Sequence, residues 1–264
     1  MELAGFVLAF IIGMVMGMIG AGGSILTSSV LVYVFSINPV LSASYTLLNV
    51  GVISAVGCAG YYKKNLVDIK TGLLFAIPAL VMVFCMRRFI VPVIPAIIFR
   101  YGNFVFSKEL LLLLIFAVLM IIISWTMIRK QDYPQQGAEK KVRPPAILIP
   151  GIGVGIITGF TGVGGGFVIV PALLFFTGLE VKKAVGTSLF IIAINTAIGF
   201  MGDYSSGVCY NWIFLLKLMA VTVAGMLCSS RFSGKVSNEK IKRLFGFTIF
   251  IIGCWIIIKE LLLK

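Results

Sequence analysis

Two glycine-rich stretches carry the pattern in this sequence that is best suited to chemistry. They are Gly17-Met18-Ile19-Gly20-Ala21-Gly22-Gly23-Ser24 and Gly159-Phe160-Thr161-Gly162-Val163-Gly164-Gly165-Gly166, and each interrupts an apolar run. Glycine permits backbone conformations closed to other residues, so each stretch is predicted to break a helix into two halves joined by a tight turn. The N–H groups that open the second half lack intrahelical partners, and the helix dipole adds partial positive charge there. The two turns therefore predict a site for a small anion.

Polar side chains in the third apolar segment of each half could complete this site. Hydroxyl and amide groups donate hydrogen bonds to an oxyanion without carrying charge. The alternative role for each side chain is hydrogen bonding between helices. The predicted substrate-binding set is Gly20, Gly22, Gly23, Ser24, Thr46, Asn49, Gly162, Gly164, Gly165, Gly166, Thr187, Ser188 and Asn195.

Other glycines fit a packing role better than a binding role. Gly13 and Gly17 have the four-residue spacing that lets helices approach closely, as do Gly151, Gly155 and Gly159. We assign these positions to helix packing and the two compact turns to the ligand.

The remaining chemical groups argue against an enzyme and a metal site. The chain has no histidine, and its five cysteines include no CxxC pair, so neither a zinc site nor a disulfide framework is expected. No nucleophile and base are paired, and we predict no cofactor. Lys217 lies within an apolar segment, where it either takes part in transport or extends its ammonium group to the interface.

The elements that position these residues are membrane segments. Of 264 residues, 60% are hydrophobic and 12% charged, which is typical of repeated spans of about 20 residues. A polar stretch divides two sets of five apolar runs, so we predict an N-terminal transmembrane repeat (1–128), a cytoplasmic linker (129–145) and a C-terminal transmembrane repeat (146–264). The apolar runs are 3–20, 24–37, 41–60, 71–86 and 110–128, followed by 146–160, 167–179, 184–202, 212–230 and 244–258.

The two halves repeat each other at an offset of 142 positions. This offset aligns both glycine turns without a gap, and it also aligns Gly57 with Gly199 and Tyr62 with Tyr204. Five passages per half place the second half upside down relative to the first. The predicted fold is an all-α polytopic membrane protein with two inverted repeats, each opening with a glycine-broken helical hairpin. The sequence leaves open whether the hairpins are re-entrant or fully spanning.

Charge predicts the orientation in the membrane. Loops on one side of this topology (61–70, 129–145, 180–183 and 231–243) hold 15 of the 22 Lys and Arg residues, so that side is predicted to be cytoplasmic and both termini non-cytoplasmic. Retention of basic loops also accounts for the net charge of +13. No basic cluster is interleaved with aromatic residues, so nucleic acid is not an expected partner.

The doubled motifs resemble the sulfite exporter TauE/SafE family over nearly the whole chain. The resemblance rests on Gly20-Ala21-Gly22-Gly23, on Thr161 to Gly166, and on Ala184-Val185-Gly186-Thr187-Ser188-Leu189. It implies a permease for sulfite, sulfonates or related sulfur-containing anions in the cell inner membrane. The first half departs from the pattern, with Ser44-Tyr45-Thr46-Leu47 at the third motif and Ser24 where the second half has Gly166.

Together these observations predict a multi-pass secondary transporter whose partners are a small anionic substrate and the lipid bilayer. An anion channel and a non-transporting membrane scaffold subunit are the alternatives. The sequence leaves open the transported anion, the direction of transport, the coupling ion and whether the chain forms a homodimer.

Overall fold

The protein is described by a computed structural model. The description is continuous over residues 2–20, 23–90, 97–101, 104–107, 145–161, 166–204 and 210–233, with residues 93 and 95 and scattered helical positions in 111–128 and 239–258. The predicted linker at 129–145 lies outside the described residues except for Pro145.

Helices dominate the described residues, as the sequence predicts. A π-helix spans Met86–Ile90, and a two-stranded sheet is formed by β1 (Ile97–Tyr101) and β2 (Phe104–Ser107). The helices are α1 (Glu2–Ile19), α2 (Gly23–Tyr33), α3 (Pro39–Tyr62), α4 (Ile69–Cys85), α5 (Pro145–Thr161), α6 (Gly166–Thr177), α7 (Val181–Tyr204) and α8 (Trp212–Ser233).

The short hairpin is an addition to the predicted all-α fold. β1 and β2 pair antiparallel, with Tyr101 opposite Phe104 and Phe99 opposite Phe106. Two short runs of β-branched and aromatic residues separated by Gly-Asn are the usual sequence signal for such a hairpin. The hairpin was not predicted because the segment lies between two apolar membrane runs.

Three of the helices have the length and apolar character needed to cross a membrane. They contain the stretches Leu41–Tyr62 in α3, Val181–Met201 in α7 and Trp212–Ser229 in α8. Beyond Lys70 in its first turn, the exposed side chains of α4 are also apolar, with Leu73, Ile77 and Val81 on one face. A helix surface of this kind faces hydrocarbon in a membrane protein, so the fold is that of a multi-pass bundle.

Helices from the two halves pack against each other in matching pairs. α1 packs on α8, α4 packs on α5, and α3 packs on α7. Glycines allow the first two contacts, because a Cβ at Gly13 would meet the Thr222 carbonyl oxygen and a Cβ at Gly155 would meet that of Ala79. Gly13 and Gly155 are 142 positions apart, and the helices that they contact, α8 and α4, also correspond under this offset. This agrees with the packing role assigned to them.

The main hydrophobic core lies where α3, α4, α5, α6 and α7 meet. Ile53 of α3, Phe75 of α4 and Leu189 of α7 are fully buried in it. A second cluster joins α1, α2, α3 and α8 around Tyr45, Leu31 and Leu215. These two clusters hold the central helices α3 and α7 in a fixed register, and the polar candidates lie on those helices.

Candidate functional site

The glycine turn after α1 ends against α7, the central helix of the other half. Gly20 has a φ of 72°, in the left-handed region, and its N–H donates to the Met16 carbonyl oxygen at 2.7 Å. A Cβ at Gly20 would lie 2.6 Å from Val185 Cγ1, so only glycine fits. The Ser188 hydroxyl is 2.9 Å from the Gly20 carbonyl oxygen and 2.8 Å from the Val185 carbonyl oxygen. The structure thus brings together two predicted site residues, Gly20 and Ser188.

A second polar contact lies beside the same helix α1, two turns earlier. The Thr222 hydroxyl of α8 donates to Asn49 Oδ1 of α3 at 2.8 Å, and both residues are completely buried. Thr222 is level with Gly13, which is about 10 Å along α1 from Gly20 at 1.5 Å per residue. The structure therefore does not bring Asn49 to the Gly20 turn.

Three buried hydrogen-bond donors on α3 have no partner among the described residues, those of Thr46, Asn49 and Ser54, and two of the three lie close together along the helix. These two are the hydroxyl of Thr46 and the Nδ2 amide of Asn49. They are three positions apart in the sequence, so they lie on one face of the helix. An unpaired buried donor costs about 1–3 kcal/mol, and such groups in native proteins usually meet a water, an ion or a ligand. This pair could donate two hydrogen bonds to one oxyanion.

Thr187 and Tyr45 make the same kind of contact in the two halves. The backbone N–H of Asp68 donates to Thr187 Oγ1 at 3.0 Å, and that of Asn211 donates to the Tyr45 hydroxyl at 2.8 Å. Asp68 caps α4 by accepting from the Thr71 N–H, and Asn211 accepts in the same way from Phe214 N–H before α8. Thr187 and Tyr45 are 142 positions apart. Each joins a central helix to a helix start in the opposite half.

The other predicted site residues are placed as follows. Gly23 opens α2 and its Cα faces Met16, Ser24 is half-buried in α2, and Gly166 is buried at the start of α6. Asn195 is half-buried on α7, and its Oδ1 has no partner within the described part of the chain. Gly22, Gly162, Gly164 and Gly165 lie outside the described residues.

Residues that sequence reasoning missed include Thr222 and Tyr61. The buried Tyr61 hydroxyl donates to the Gly17 carbonyl oxygen at 3.0 Å, near the end of α1. Neither residue has a sequence signal that separates it from other polar residues in a span. Lys217, named as a transport candidate, is exposed on α8.

The sequence model of the family described as "Sulfite exporter TauE/SafE" matches residues 5–256. The chain belongs to this TauE/SafE family. The resemblance predicted from the glycine turns is thereby confirmed.

Curated relatives of this TauE/SafE chain are named as membrane transporters. A "Probable membrane transporter protein" of Xylella fastidiosa (strain Temecula1) is 24% identical over 253 residues, which cover 94% of this chain and 91% of the relative. YunE of Bacillus subtilis, a "Probable membrane transporter protein", is 26% identical over 275 residues, covering 95% of each chain. YdhB of the same organism is 24% identical over 244 residues, covering 92% of this chain and 95% of YdhB. No solved structure matches the chain.

These names establish the general activity. The chain is a multi-pass membrane transporter, and the prediction of a transporter rather than an enzyme is confirmed.

Proposed function

We propose that this TauE/SafE protein is a secondary transporter that moves sulfite or an organosulfonate across the inner membrane by alternating access. The substrate would be held near the middle of the bundle between the two central helices, α3 and α7. Inverted repeats, re-entrant hairpins and the anion site are parts of the same proposal, and different observations support each of them.

The inverted repeat is supported by which helices pack together. Under the 142-residue offset, α1 corresponds to α5 and α4 corresponds to α8, so the α1–α8 contact corresponds to α5–α4. The offset relates α3 to α7, so exchanging the two halves leaves the α3–α7 pair unchanged. A bundle whose halves exchange contacts in this way has a two-fold pseudo-symmetry. An odd number of passages per half, which holds whether the hairpins are re-entrant or fully spanning, would place its axis in the membrane plane.

The re-entrant form of the hairpins is supported by helix length. α2 has 11 residues and α6 has 12. At 1.5 Å per residue they are about 16 and 18 Å long, little more than half of the roughly 30 Å hydrocarbon core. Short helices that end inside a bundle place their termini near the midplane, where repeat-built transporters bind substrate.

The binding of an anion is carried by one observation, the unpaired donors of Thr46 and Asn49. Thr222 donates to Asn49 Oδ1 and so turns Nδ2 away from itself. Both donors are uncharged, and the described residues contain no cluster of three or more His, Cys, Asp or Glu. Neutral donors in a buried site suit a small anion that must bind and then leave, because a buried opposite charge would hold it too strongly.

Alternating access is supported by the contacts of Thr187 and Tyr45. Each contact lies at the N-terminal end of a central helix, and in an inverted repeat those two ends face opposite sides of the membrane. Breaking one contact while the other stays closed would open the site to one side. The Tyr45 contact is reinforced by aromatic packing, since the Tyr45 ring lies 6.0 Å from Phe214 and 5.9 Å from Tyr210.

Flux into liposomes tests this proposal. Purified protein should take up labelled sulfite with saturation, and an organosulfonate such as taurine should compete more strongly than sulfate. Flux that rises without saturation would indicate a channel instead. Folded protein that moves no sulfur-containing anion would reject the substrate proposed here.

A further inference from the structure

An apolar groove on the outside of the bundle lies next to a cluster of lysines. The groove has a volume of about 470 Å³ and is lined by Ala55, Ala59 and Tyr62 of α3, by Ile69 of α4, and by Phe190 and Ala193 of α7. Ala59 and Tyr62 are exposed, so the groove is accessible from outside the bundle. Its position on the apolar surface of a membrane transporter means that hydrocarbon chains surround it.

The end of the groove at Tyr62 and Ile69 is strongly basic. Lys63 and Lys64 directly follow Tyr62, and Lys70 directly follows Ile69. All three lysines are exposed. They lie where α3 ends and α4 begins, next in the chain to Tyr62 and Ile69 of the groove lining.

The start of α7 adds to this charge. A Cβ at Gly186 would meet the Leu66 carbonyl oxygen, so the first turns of α7 pack on the loop that carries Lys63 and Lys64. Lys182 and Lys183 lie in the first turn of α7. Among the described residues, the acids on these two loops are Asp68, which caps α4 through the Thr71 N–H, and the exposed Glu180. Within the described residues, these two loops therefore carry five lysines and two acids.

We infer that this groove is a binding site for one anionic phospholipid. An acyl chain would lie between α3 and α7, and the phosphate would lie among Lys63, Lys64 and Lys70. An apolar cleft fits an acyl chain through dispersion contacts, and a lysine cluster at its mouth selects an anionic headgroup over a zwitterionic one. This proposal concerns the lipid and does not depend on which anion is transported.

The repeat supplies an internal comparison. At the 142-residue offset, Lys63, Lys64 and Lys70 correspond to Ser205, Ser206 and Trp212. The corresponding loop of the second half therefore carries no lysine at these positions. Selection for an anionic lipid is expected at the α3–α4 end only.

Native mass spectrometry of the purified, delipidated full-length protein tests the site. Titrations would use phosphatidylglycerol and phosphatidylcholine with identical acyl chains. The unmodified protein should bind phosphatidylglycerol more tightly. Each Lys→Gln change should weaken that binding about fivefold at low salt, and the triple variant K63Q/K64Q/K70Q on the order of a hundredfold, with phosphatidylcholine unaffected.

Two further variants distinguish the contribution of the lysine charges to lipid binding from that of the apolar groove. Ala59→Trp fills the groove from an exposed position and should weaken the binding of both lipids. Lys217→Gln removes an exposed lysine of α8 outside the cluster and should leave both titrations unchanged. Equal affinity for the two lipids, or phosphatidylglycerol binding that survives the triple substitution, would overturn the proposal. Because the readout is lipid binding without flux, failure of the transport proposal would not affect it.

Discussion

The Ser188 hydroxyl on α7 lies 2.9 Å from the carbonyl oxygen of Gly20, and this hydrogen bond joins residues 168 positions apart. The turn that ends α1 is therefore fixed by the central helix of the other half. Val185, one turn earlier on α7, also packs against this turn, because a Cβ at Gly20 would lie 2.6 Å from its Cγ1 atom. A shift of α7 would move the glycine turn with it, so the contact couples the two halves of the transporter.

Replacement of Ser188 by Ala should loosen this coupling. The substitution leaves the Gly20 carbonyl oxygen without its donor, and we expect a loss of about 1 kcal/mol in the free energy of unfolding. Thermal unfolding in detergent measures it. Thr196→Val is the control, because the buried Thr196 hydroxyl donates to the Ile192 carbonyl oxygen of its own helix. Equal destabilisation by the two variants would contradict a special role for Ser188.

Replacement of Gly20 by Ala should destabilise the protein more strongly. Alanine at a left-handed φ costs about 1–2 kcal/mol, and its Cβ would also press on Val185. Gly60→Ala in α3 is the matched control, since a Cβ there has nothing within 4 Å. We expect the control to be neutral or slightly stabilising, because alanine favours helix. The two unfolding temperatures, compared in one detergent, decide the matter, and equal values would refute the tight turn.

Two neighbouring tyrosines allow a test of the Gly17 contact. Tyr61 is 4% exposed and donates to the Gly17 carbonyl oxygen, whereas Tyr62 is 58% exposed. Tyr61→Phe should lower the free energy of unfolding by about 1 kcal/mol, and Tyr62→Phe should change it little. Chemical denaturation of both variants measures the difference. A larger effect at Tyr62 would show that the contact has no energetic role.

The contacts of Tyr45 and Thr187 predict opposite effects on access. Tyr45→Phe and Thr187→Val each leave a backbone N–H without its acceptor, so each should favour opening at its own end of the bundle. In a cysteine-free background, a cysteine at position 46 reports access through labelling with a membrane-impermeant thiol reagent. One variant should raise the labelling rate severalfold from outside the vesicle and the other from inside. A rise from the same side in both variants would contradict inverted repeats.

Much of the fold follows from composition and spacing, because apolar runs and a repeated glycine pattern leave few alternatives in a bilayer. Gly13 and Gly155 were correctly assigned to packing, because small residues four positions apart let two helices approach closely, and each glycine lies against a carbonyl oxygen of a neighbouring helix. The β1–β2 hairpin was missed because its short strands lie between two apolar membrane runs. Apolar helical runs are easier to recognise in a sequence than a short non-helical insertion between them.

The polar contacts could be predicted only in part. Ser188 was named from its motif, and the structure places it on Gly20. Thr222 could not have been singled out, because its contact with Asn49 spans 173 positions and depends on how α1, α3 and α8 pack. Tyr45 was left out of the predicted binding set, although the 142-residue offset aligns it with Thr187. Position in the fold, rather than residue type, distinguishes the Thr46 hydroxyl, which has no partner among the described residues, from a paired one.

The central claim is that the unpaired donors of Thr46 and Asn49 bind the transported anion. The most direct test is uptake of labelled sulfite into liposomes by Thr46→Val and Asn49→Leu variants, with Ser54→Ala as the control. Ser54 also has a buried hydroxyl without a partner among the described residues, but it lies about 12 Å along α3 from Thr46. Removal of an unpaired hydroxyl should not lower the unfolding temperature of any threonine or serine variant.

If the claim is correct, Thr46→Val and Asn49→Leu should each lower the initial rate of saturable uptake about tenfold or more, because each loses a hydrogen bond to a charged group worth roughly 1.5–3 kcal/mol. Ser54→Ala should transport at the rate of the unmodified protein. Uptake at that same rate by folded Thr46→Val and Asn49→Leu variants would contradict the claim.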